Sequence, residues 1–119
     1  MPFLMAKTNV PIGRAKEMEI KTLLGKTIGL VPGKSEQSLL VGFEENRHFY
    51  LRGKEQPVAY IEASIFGNEA HLGYDALTAA IARAFHDVLG IPPENIYVKY
   101  DDIKAWGVGG AYFDRGDFQ

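Results

Sequence analysis

The chain has 119 residues, a formal net charge of -2 and 46% hydrophobic residues, values typical of a globular protein. This length predicts one domain over residues 1–119, small enough for oligomerisation to add stability. The charge balance and the lack of a basic stripe argue against a nucleic-acid-binding protein, and the absence of cysteine excludes disulfides, thiolate nucleophiles and cysteine metal sites. No apolar run approaches the roughly 18 residues that span a bilayer, and the start lacks the pattern of a leader peptide. We therefore expect a cytoplasmic protein without a membrane partner.

Strand and helix patterns alternate in the first half of the chain. In chain order we predict a strand over residues 3–10, a helix over 13–31, a strand over 38–43 and a short edge strand over 48–51. Pro11 closes the first strand because proline interrupts a sheet ladder, and Pro32-Gly33 ends the helix.

The second half of the chain repeats this plan. We predict a strand over residues 58–66, a strongly amphipathic helix over 72–89, a strand over 96–100 and a glycine-rich remainder with short β pieces. Two successive strand-helix-strand units, each with a right-handed crossover, predict an α+β fold: a four-stranded mixed sheet with both helices on one face. The other face of the sheet then needs a cover, and copies of the same chain are the simplest one.

Pro2 follows the initiator Met1 directly and opens the first predicted strand. If Met1 is removed, Pro2 becomes a free secondary amine, and α-amino groups have an ordinary pKa of roughly 7.7–8.0. Burial or a neighbouring cation would then keep a useful fraction of this amine neutral at pH 7. Pro2 is therefore a candidate general base, although proline is also common at this position without any function.

Lys34 follows the turn at Pro32-Gly33, and it is either a solvated loop lysine or, if it lies near Pro2, a cation that lowers the pKa of that amine and binds a carboxylate. Tyr97 on its own indicates a core or interface aromatic. Asp101 and Asp102 are adjacent in a strand, so they point to opposite faces and do not form a paired acid/base site.

The three histidines, His48, His71 and His86, lack the spacing of metal ligands. The glycine-rich run at residues 107–110 lacks the pattern of a dinucleotide-binding loop and does not lie between a strand and a helix. We therefore expect neither a metal nor another cofactor.

Taken together, these residues resemble the macrophage migration inhibitory factor family of the tautomerase superfamily. The resemblance covers the chain to Phe113, and it depends on the joint order of motifs that are individually weak. These motifs are Pro2-Phe3-Leu4-Met5 with Thr8-Asn9-Val10-Pro11, Gly33-Lys34, Ala63-Ser64-Ile65, and Ile91-Pro92-Pro93-Glu94-Asn95-Ile96-Tyr97-Val98 followed by Tyr100-Asp101-Asp102.

The resemblance implies a homotrimer whose three sheets form a central barrel with the helices outside. It also implies keto–enol exchange of α-keto acids such as phenylpyruvate, with Pro2 as general base and acid. Lys34 and the backbone N–H of Ile65 would hold the substrate carboxylate or carbonyl, and Tyr97 would enter from the adjacent subunit. Some relatives are secreted without a leader, so this route is also open here.

At four positions, the comparison with the family pattern bears on the pocket. Lys99 replaces an asparagine, which adds a cation that would lower the pKa of Pro2 or bind a more acidic substrate. Trp106 would supply bulk in a changed C-terminal wall, and Phe113 matches an aromatic of the family. Phe66 replaces a glycine, and we expect it to narrow the mouth of the pocket.

Two further family features are altered. The positions of the family's thiol pair hold Val58 and Ile61, so thiol-redox activity is excluded. The tail at residues 114–119 extends past the usual end, and we assign it no function.

Two alternatives to a tautomerase stay open at the level of sequence. The changed C-terminal wall is compatible with a non-catalytic binding or signalling protein that keeps the fold and the pocket. A trimeric ferredoxin-like regulator that binds a nucleotide is the other alternative, against which stands the absence of a phosphate-binding loop in the sequence.

Overall fold

Two helices and a four-stranded sheet make up most of residues 1–114, which are the residues that the computed structural model describes. The sheet strands are β1 (Pro2–Thr8), β2 (Leu40–Glu44), β3 (Ala59–Phe66) and β4 (Ile96–Ile103). The helices are α1 (Gly13–Thr27) and α2 (Tyr74–Leu89), and a separate hairpin consists of β5 (Ala105–Val108) and β6 (Ala111–Asp114).

The order of the strands across the sheet is β2-β1-β3-β4. The outer pairs β1–β2 and β3–β4 are parallel, and the central pair β1–β3 is antiparallel. Each parallel pair is joined through one helix, so the chain consists of two βαβ units side by side. The predicted mixed sheet is confirmed.

One face of the sheet packs against both helices and forms the core. Side chains in a strand alternate between faces, and in β1 the alternate residues beginning with Pro2 are buried. The corresponding alternation in β3 buries Ile61, Ala63 and Ile65, which pack in one cluster with Leu24 of α1 and with several residues of α2. The buried α2 residues are Tyr74, Leu77, Ile81, Ala84 and Phe85. Burial of this apolar surface is what holds the helices on the sheet.

Four charged side chains lie on the opposite face of the sheet, called the open face below. Lys7 pairs with Glu62 at 2.9 Å, and Lys99 lies 3.6 Å from Glu62 and 3.4 Å from Asp101. These pairs link β1, β3 and β4 across the sheet. No helix within residues 1–114 is long and apolar enough to cross a membrane.

The edge strand predicted over residues 48–51 does not form within one protomer, and its pairing with a neighbouring copy stays a prediction. Within the described part of the chain, this segment contributes only an isolated bridge between Leu51 and Lys54. The backbone groups of these two residues bond to each other, at 2.9 and 3.1 Å, and not to a neighbouring strand. A segment forms a strand only where its backbone can bond to a neighbouring strand, and among residues 1–114 of the same protomer no strand lies beside residues 48–51.

Element ends differ from the predictions by a few residues. Helix α1 stops at Thr27, and residues Ile28–Leu30 form a 3₁₀ turn. Residues Glu36–Ser38 form a second 3₁₀ turn, in which the Ser35 hydroxyl accepts a hydrogen bond from the Gln37 N–H. Short 3₁₀ turns at helix ends are common because they bond otherwise unpaired backbone groups.

Candidate active site

The start of β1 lies beside the end of β3. Pro2 is buried and lies directly opposite Ile65 in the antiparallel register. The backbone N–H of Phe66 donates to the carbonyl oxygen of Met1 at 3.4 Å. The first two residues of the chain are therefore held by the central strand pair, and the structure brings Pro2 and Ile65 together as expected.

Lys34 reaches the same place from the loop after α1. Its backbone N–H donates to the Val31 carbonyl at 3.1 Å, and its Nζ donates to the Phe66 carbonyl at 2.6 Å. Gly67 lies close to this group, and a Cβ there would be in tight contact with the Lys34 Nζ, at 3.3 Å. An ammonium group is thus fixed at the end of β3, next to the residue that faces Pro2.

The surroundings of the N-terminal amine disfavour its protonated form. Burial, followed by the charge of Lys34 and its hydrogen bond, lowers the pKa of the Met1 amine from 8.0 to about 5. Burial and a neighbouring cation both favour the neutral form of an amine at this end of β1. The Met1 amine is therefore mostly neutral at pH 7.

A cavity of about 590 Å³ opens beside these residues. Met1 and Pro2 lie on one side, and Leu39 and Leu40 supply an apolar wall. Gln37 and Ser38 also line the cavity, and the hairpin supplies a further wall with Trp106, Gly107, Val108 and Gly109. The structure therefore places Trp106 beside Pro2 within one protomer.

Phe113 and Phe66 lie outside this lining. Phe113 is the cross-strand partner of Trp106 in the hairpin, and it does not line the cavity itself. Phe66 is only 2% exposed and packs inward, so the expectation that it narrows the pocket mouth is wrong. Its contribution to the site is the backbone carbonyl that holds Lys34.

Tyr97 and Lys99 lie away from the cavity in the same protomer. In the sheet register Tyr97 pairs with Tyr60 and Lys99 with Glu62, whereas Pro2 pairs with Ile65. Ile65 lies five positions after Tyr60 along β3, or roughly 17 Å at the usual strand rise. Tyr97 is half exposed and lines a separate cavity of about 180 Å³.

Lys99 faces carboxylates where it lies. Asp101, which supplies the largest contribution, and Tyr60 raise its pKa. Its charge is directed at the open face and not at the Pro2 of its own protomer.

Sequence reasoning missed one polar cluster near the cavity. His71, between β3 and α2, places its Nε2 at 2.8 Å from the Asp102 carboxylate of β4. Its ring stacks on Tyr74 at 5.0 Å, and Tyr74 stacks on Tyr100 at 4.4 Å. Burial, with a further contribution from Asp102, raises the pKa of Tyr74 to about 12. The contact between His71 and Asp102 joins residues 31 apart and is not predictable from a local pattern. The prediction that Asp101 and Asp102 point apart is confirmed, because Asp101 contacts Lys99 on the open face and Asp102 contacts His71.

No group of three or more metal-ligating side chains occurs among the residues from 1 to 114. The cavity is lined instead by the N-terminal residues, apolar side chains and the hairpin, whereas the Lys34 ammonium and Ile65 lie next to Met1 and Pro2 but outside the lining. Such a combination suits an organic anion whose proton is to be moved.

Known proteins with this fold share the whole length of the chain. The family model for macrophage migration inhibitory factor (MIF) matches residues 1–112. The chain is similar to MIF2 of Leishmania major, with 29% identity and a TM-score of 0.88 over 95% of this chain and 97% of that one. MIF of Toxoplasma gondii shows 21% identity and a TM-score of 0.86 over 93% and 99% of the two chains.

A protein solved after inactivation by 2-oxo-3-pentynoate is a further structural neighbour. It shows 16% identity and a TM-score of 0.83 over 98% of this chain and 99% of that one, which establishes a common fold alone. Among curated proteins, none matches the sequence. The family model and the fold agree with the motifs of the sequence, and the chain belongs to the macrophage migration inhibitory factor family.

Proposed function

We propose that this protein is a keto–enol tautomerase for phenylpyruvate-type α-keto acids, in which Pro2, after removal of Met1, is the general base and acid. Membership of a family within the tautomerase superfamily supports isomerase activity in general. The observation that carries the finer proposal is that Lys34 Nζ is held 2.6 Å from the Phe66 carbonyl, next to the Pro2–Ile65 pair and its cavity.

Each group has a definite task in this reaction. The neutral Pro2 nitrogen takes a proton from carbon 3 of the α-keto acid, and the electron pair of that C–H bond forms the C2–C3 double bond. The carbonyl π electrons move to the oxygen, to which the protonated Pro2 then returns the proton, giving the enol and the neutral amine. The Lys34 ammonium binds the carboxylate, and the Ile65 N–H is the proposed donor for the substrate oxygen. Donors placed where charge develops lower the barrier to proton transfer.

The proposal includes a homotrimer. Tyr97 and Lys99 lie too far from Pro2 in one protomer to meet a substrate beside it, so they would line the cavity only from a neighbouring copy. Among residues 1–114, no strand pairs with the outer edges of β2 and β4, so these edges are available for such contacts. Sedimentation equilibrium of the purified protein measures the number of subunits directly.

Ketonisation of the phenylpyruvate enol, followed by ultraviolet absorbance, tests the function. Mass spectrometry first establishes whether Met1 is present. We compare three forms: the protein beginning at Pro2, its Pro2→Gly variant, and a form that retains Met1, in which the Pro2 nitrogen is an amide and cannot act as a base. We expect a loss of turnover of at least about 100-fold in the last two forms. Equal rates in all three would overturn the assignment of Pro2.

A reactive probe tests the same amine without turnover. Because 2-oxo-3-pentynoate is an α-keto acid with an electrophilic alkyne, a neutral amine beside a bound carboxylate should add to it. We expect one equivalent of label on the N-terminal peptide of the form beginning at Pro2, and protection by phenylpyruvate. Labelling spread over surface lysines would contradict a selective site.

The alternative of a non-catalytic binding protein is not favoured by the comparisons.

A further inference from the structure

His71 and Asp102 form a hydrogen-bonded pair at the edge of the site, outside the cavity lining. The pair joins residues 67–73, the segment between β3 and α2, to the end of β4. Asp102 is the register partner of Ile65, so the pair lies one strand away from the residue that faces Pro2. We propose that His71 and Asp102 are positioning residues, which hold the 67–73 segment so that Lys34 keeps its ammonium at the carboxylate subsite. This inference rests on the proposed function of Lys34.

The 67–73 segment lies against the surroundings of Lys34 at both of its ends. Directly before the segment, the Phe66 carbonyl of β3 accepts the hydrogen bond from Lys34 Nζ, and an added Cβ at Gly67 would lie 3.3 Å from that nitrogen. At its end, Gly73 packs on the chain just before Lys34, because a Cβ there would lie 2.2 Å from the Leu30 carbonyl oxygen. A shift of this segment would therefore move both the side-chain partner and the backbone support of Lys34.

The backbone of the segment is shaped to present His71 to β4. His71 has φ 59, in the left-handed region that few residues other than glycine and asparagine adopt readily. Its N–H donates to the Asn68 carbonyl at 3.1 Å, and the Asn68 side chain bonds to both backbone groups of Leu72. Such a conformation persists only where the surroundings support it. The carboxylate of Asp102 and the ring of Tyr74 are the side-chain groups that meet the imidazole.

The remaining contacts hold the Tyr74 ring in place against the His71 ring. Tyr74 is 8% exposed, and its ring lies between those of His71 and Tyr100. The Tyr100 hydroxyl lies 2.6 Å from the Thr78 hydroxyl and donates to the Tyr74 carbonyl at 3.2 Å. By contrast, the His71 and Asp102 side chains are 53% and 37% exposed, so their pair adds little to folding stability. The effect of the pair is thus expected in the position of Lys34 and not in the stability of the protein.

The test uses His71→Asn, which keeps a residue suited to φ 59 but cannot reach Asp102, and Asp102→Ala. Asp102→Asn is the conservative variant, since its amide oxygen still accepts from the imidazole. The control is His86→Asn, which removes a histidine that contacts the Ile91 carbonyl at the other end of α2. We expect His71→Asn and Asp102→Ala to raise KM for the phenylpyruvate enol about threefold to tenfold while kcat changes less than about twofold. Asp102→Asn should recover most of the loss, and the double variant should be no worse than either single one.

Two readouts separate positioning from general damage. The methyl ester of the same enol lacks the carboxylate, so its KM should be unaffected in every variant. Labelling by acetic anhydride with peptide mass analysis should show faster modification of Lys34 in His71→Asn and Asp102→Ala, and an unchanged rate in His86→Asn. An unchanged KM for the acid, an equal rise for the ester, or unchanged Lys34 labelling would overturn the inference. If the wild type shows no turnover, the tautomerase proposal fails, and the labelling experiment still decides whether the pair positions Lys34.

Discussion

Replacing Gly67 by alanine tests how closely the position of Lys34 is controlled. Gly67 has φ +87, and an added Cβ would lie 3.3 Å from Lys34 Nζ, closer than ordinary van der Waals contact. The backbone strain should destabilise the protein by about 1–2 kcal/mol. The lysine side chain is flexible, so the added methyl group should displace its ammonium and weaken the bond to the Phe66 carbonyl. If about 1 kcal/mol of a charge-assisted hydrogen bond of roughly 1.5–3 kcal/mol is lost, KM for an α-keto acid rises about fivefold.

Gly53→Ala is the matched control, because Gly53 has φ +76 and no atom within 4 Å of the added Cβ. Urea unfolding should show similar destabilisation of both variants, measured at one protein concentration because association would add to stability. Enol ketonisation should show the rise in KM for Gly67→Ala alone. If both variants had the same KM, crowding of Lys34 would not matter, and our account of the carboxylate subsite would be wrong.

Three further predictions concern the charge, the N-terminus and the core. Lys34→Met should lower kcat/KM about 10- to 100-fold, and it should move the acidic limb of the pH profile to higher pH because the cation that lowers the pKa of the amine is gone. The control Lys26→Met, on the exposed side of α1, should leave kcat/KM and the pH profile unchanged. In the form that retains Met1, NMR titration should show a midpoint of about 5 for the Met1 amine. Between pH 8.0 and 5 the unfolded chain binds this proton while the folded chain does not, so the free energy of unfolding should fall as the pH is lowered from 8.0 towards 5. Phe85→Ala removes a fully buried ring and should destabilise the protein by about 3–5 kcal/mol in urea unfolding, whereas Met18→Ala, at a residue 46% exposed, should change stability by less than about 0.5 kcal/mol.

The fold could be predicted because its pattern is local. Alternation in the strands and the apolar stripe of α2 identify which side chains enter the core, and the repeated strand-helix-strand order restricts the topology. The segment at 48–51 has the composition of a strand, but a strand also needs an edge to pair with, and this depends on the assembly. The cytoplasmic location, the homotrimer and the single domain stay predictions, and most of the tail at 114–119 lies outside the described residues.

The candidate site was predictable only in part. The sequence motifs indicate Pro2, Lys34 and Ile65 as site residues, and the structure brings these residues together at one end of the sheet. Which atom holds Lys34 was not predictable, because it depends on a backbone carbonyl that Gly67 leaves accessible. Contacts such as the one between His71 and Asp102 join distant parts of the chain and leave no periodic pattern in the sequence.

The charged network of the open face has a consequence for how copies of the chain associate. Its two lysines, Lys7 and Lys99, face two carboxylates, so the patch has no net charge before any partner arrives. Copies that joined through their strand edges would not bring like charges together at this patch. Added salt screens mainly unbalanced charges at a surface. The association constant of the proposed trimer should therefore vary little with ionic strength, whereas Glu62→Gln would leave an unbalanced positive charge in each subunit and make association weaker at low salt than at high salt.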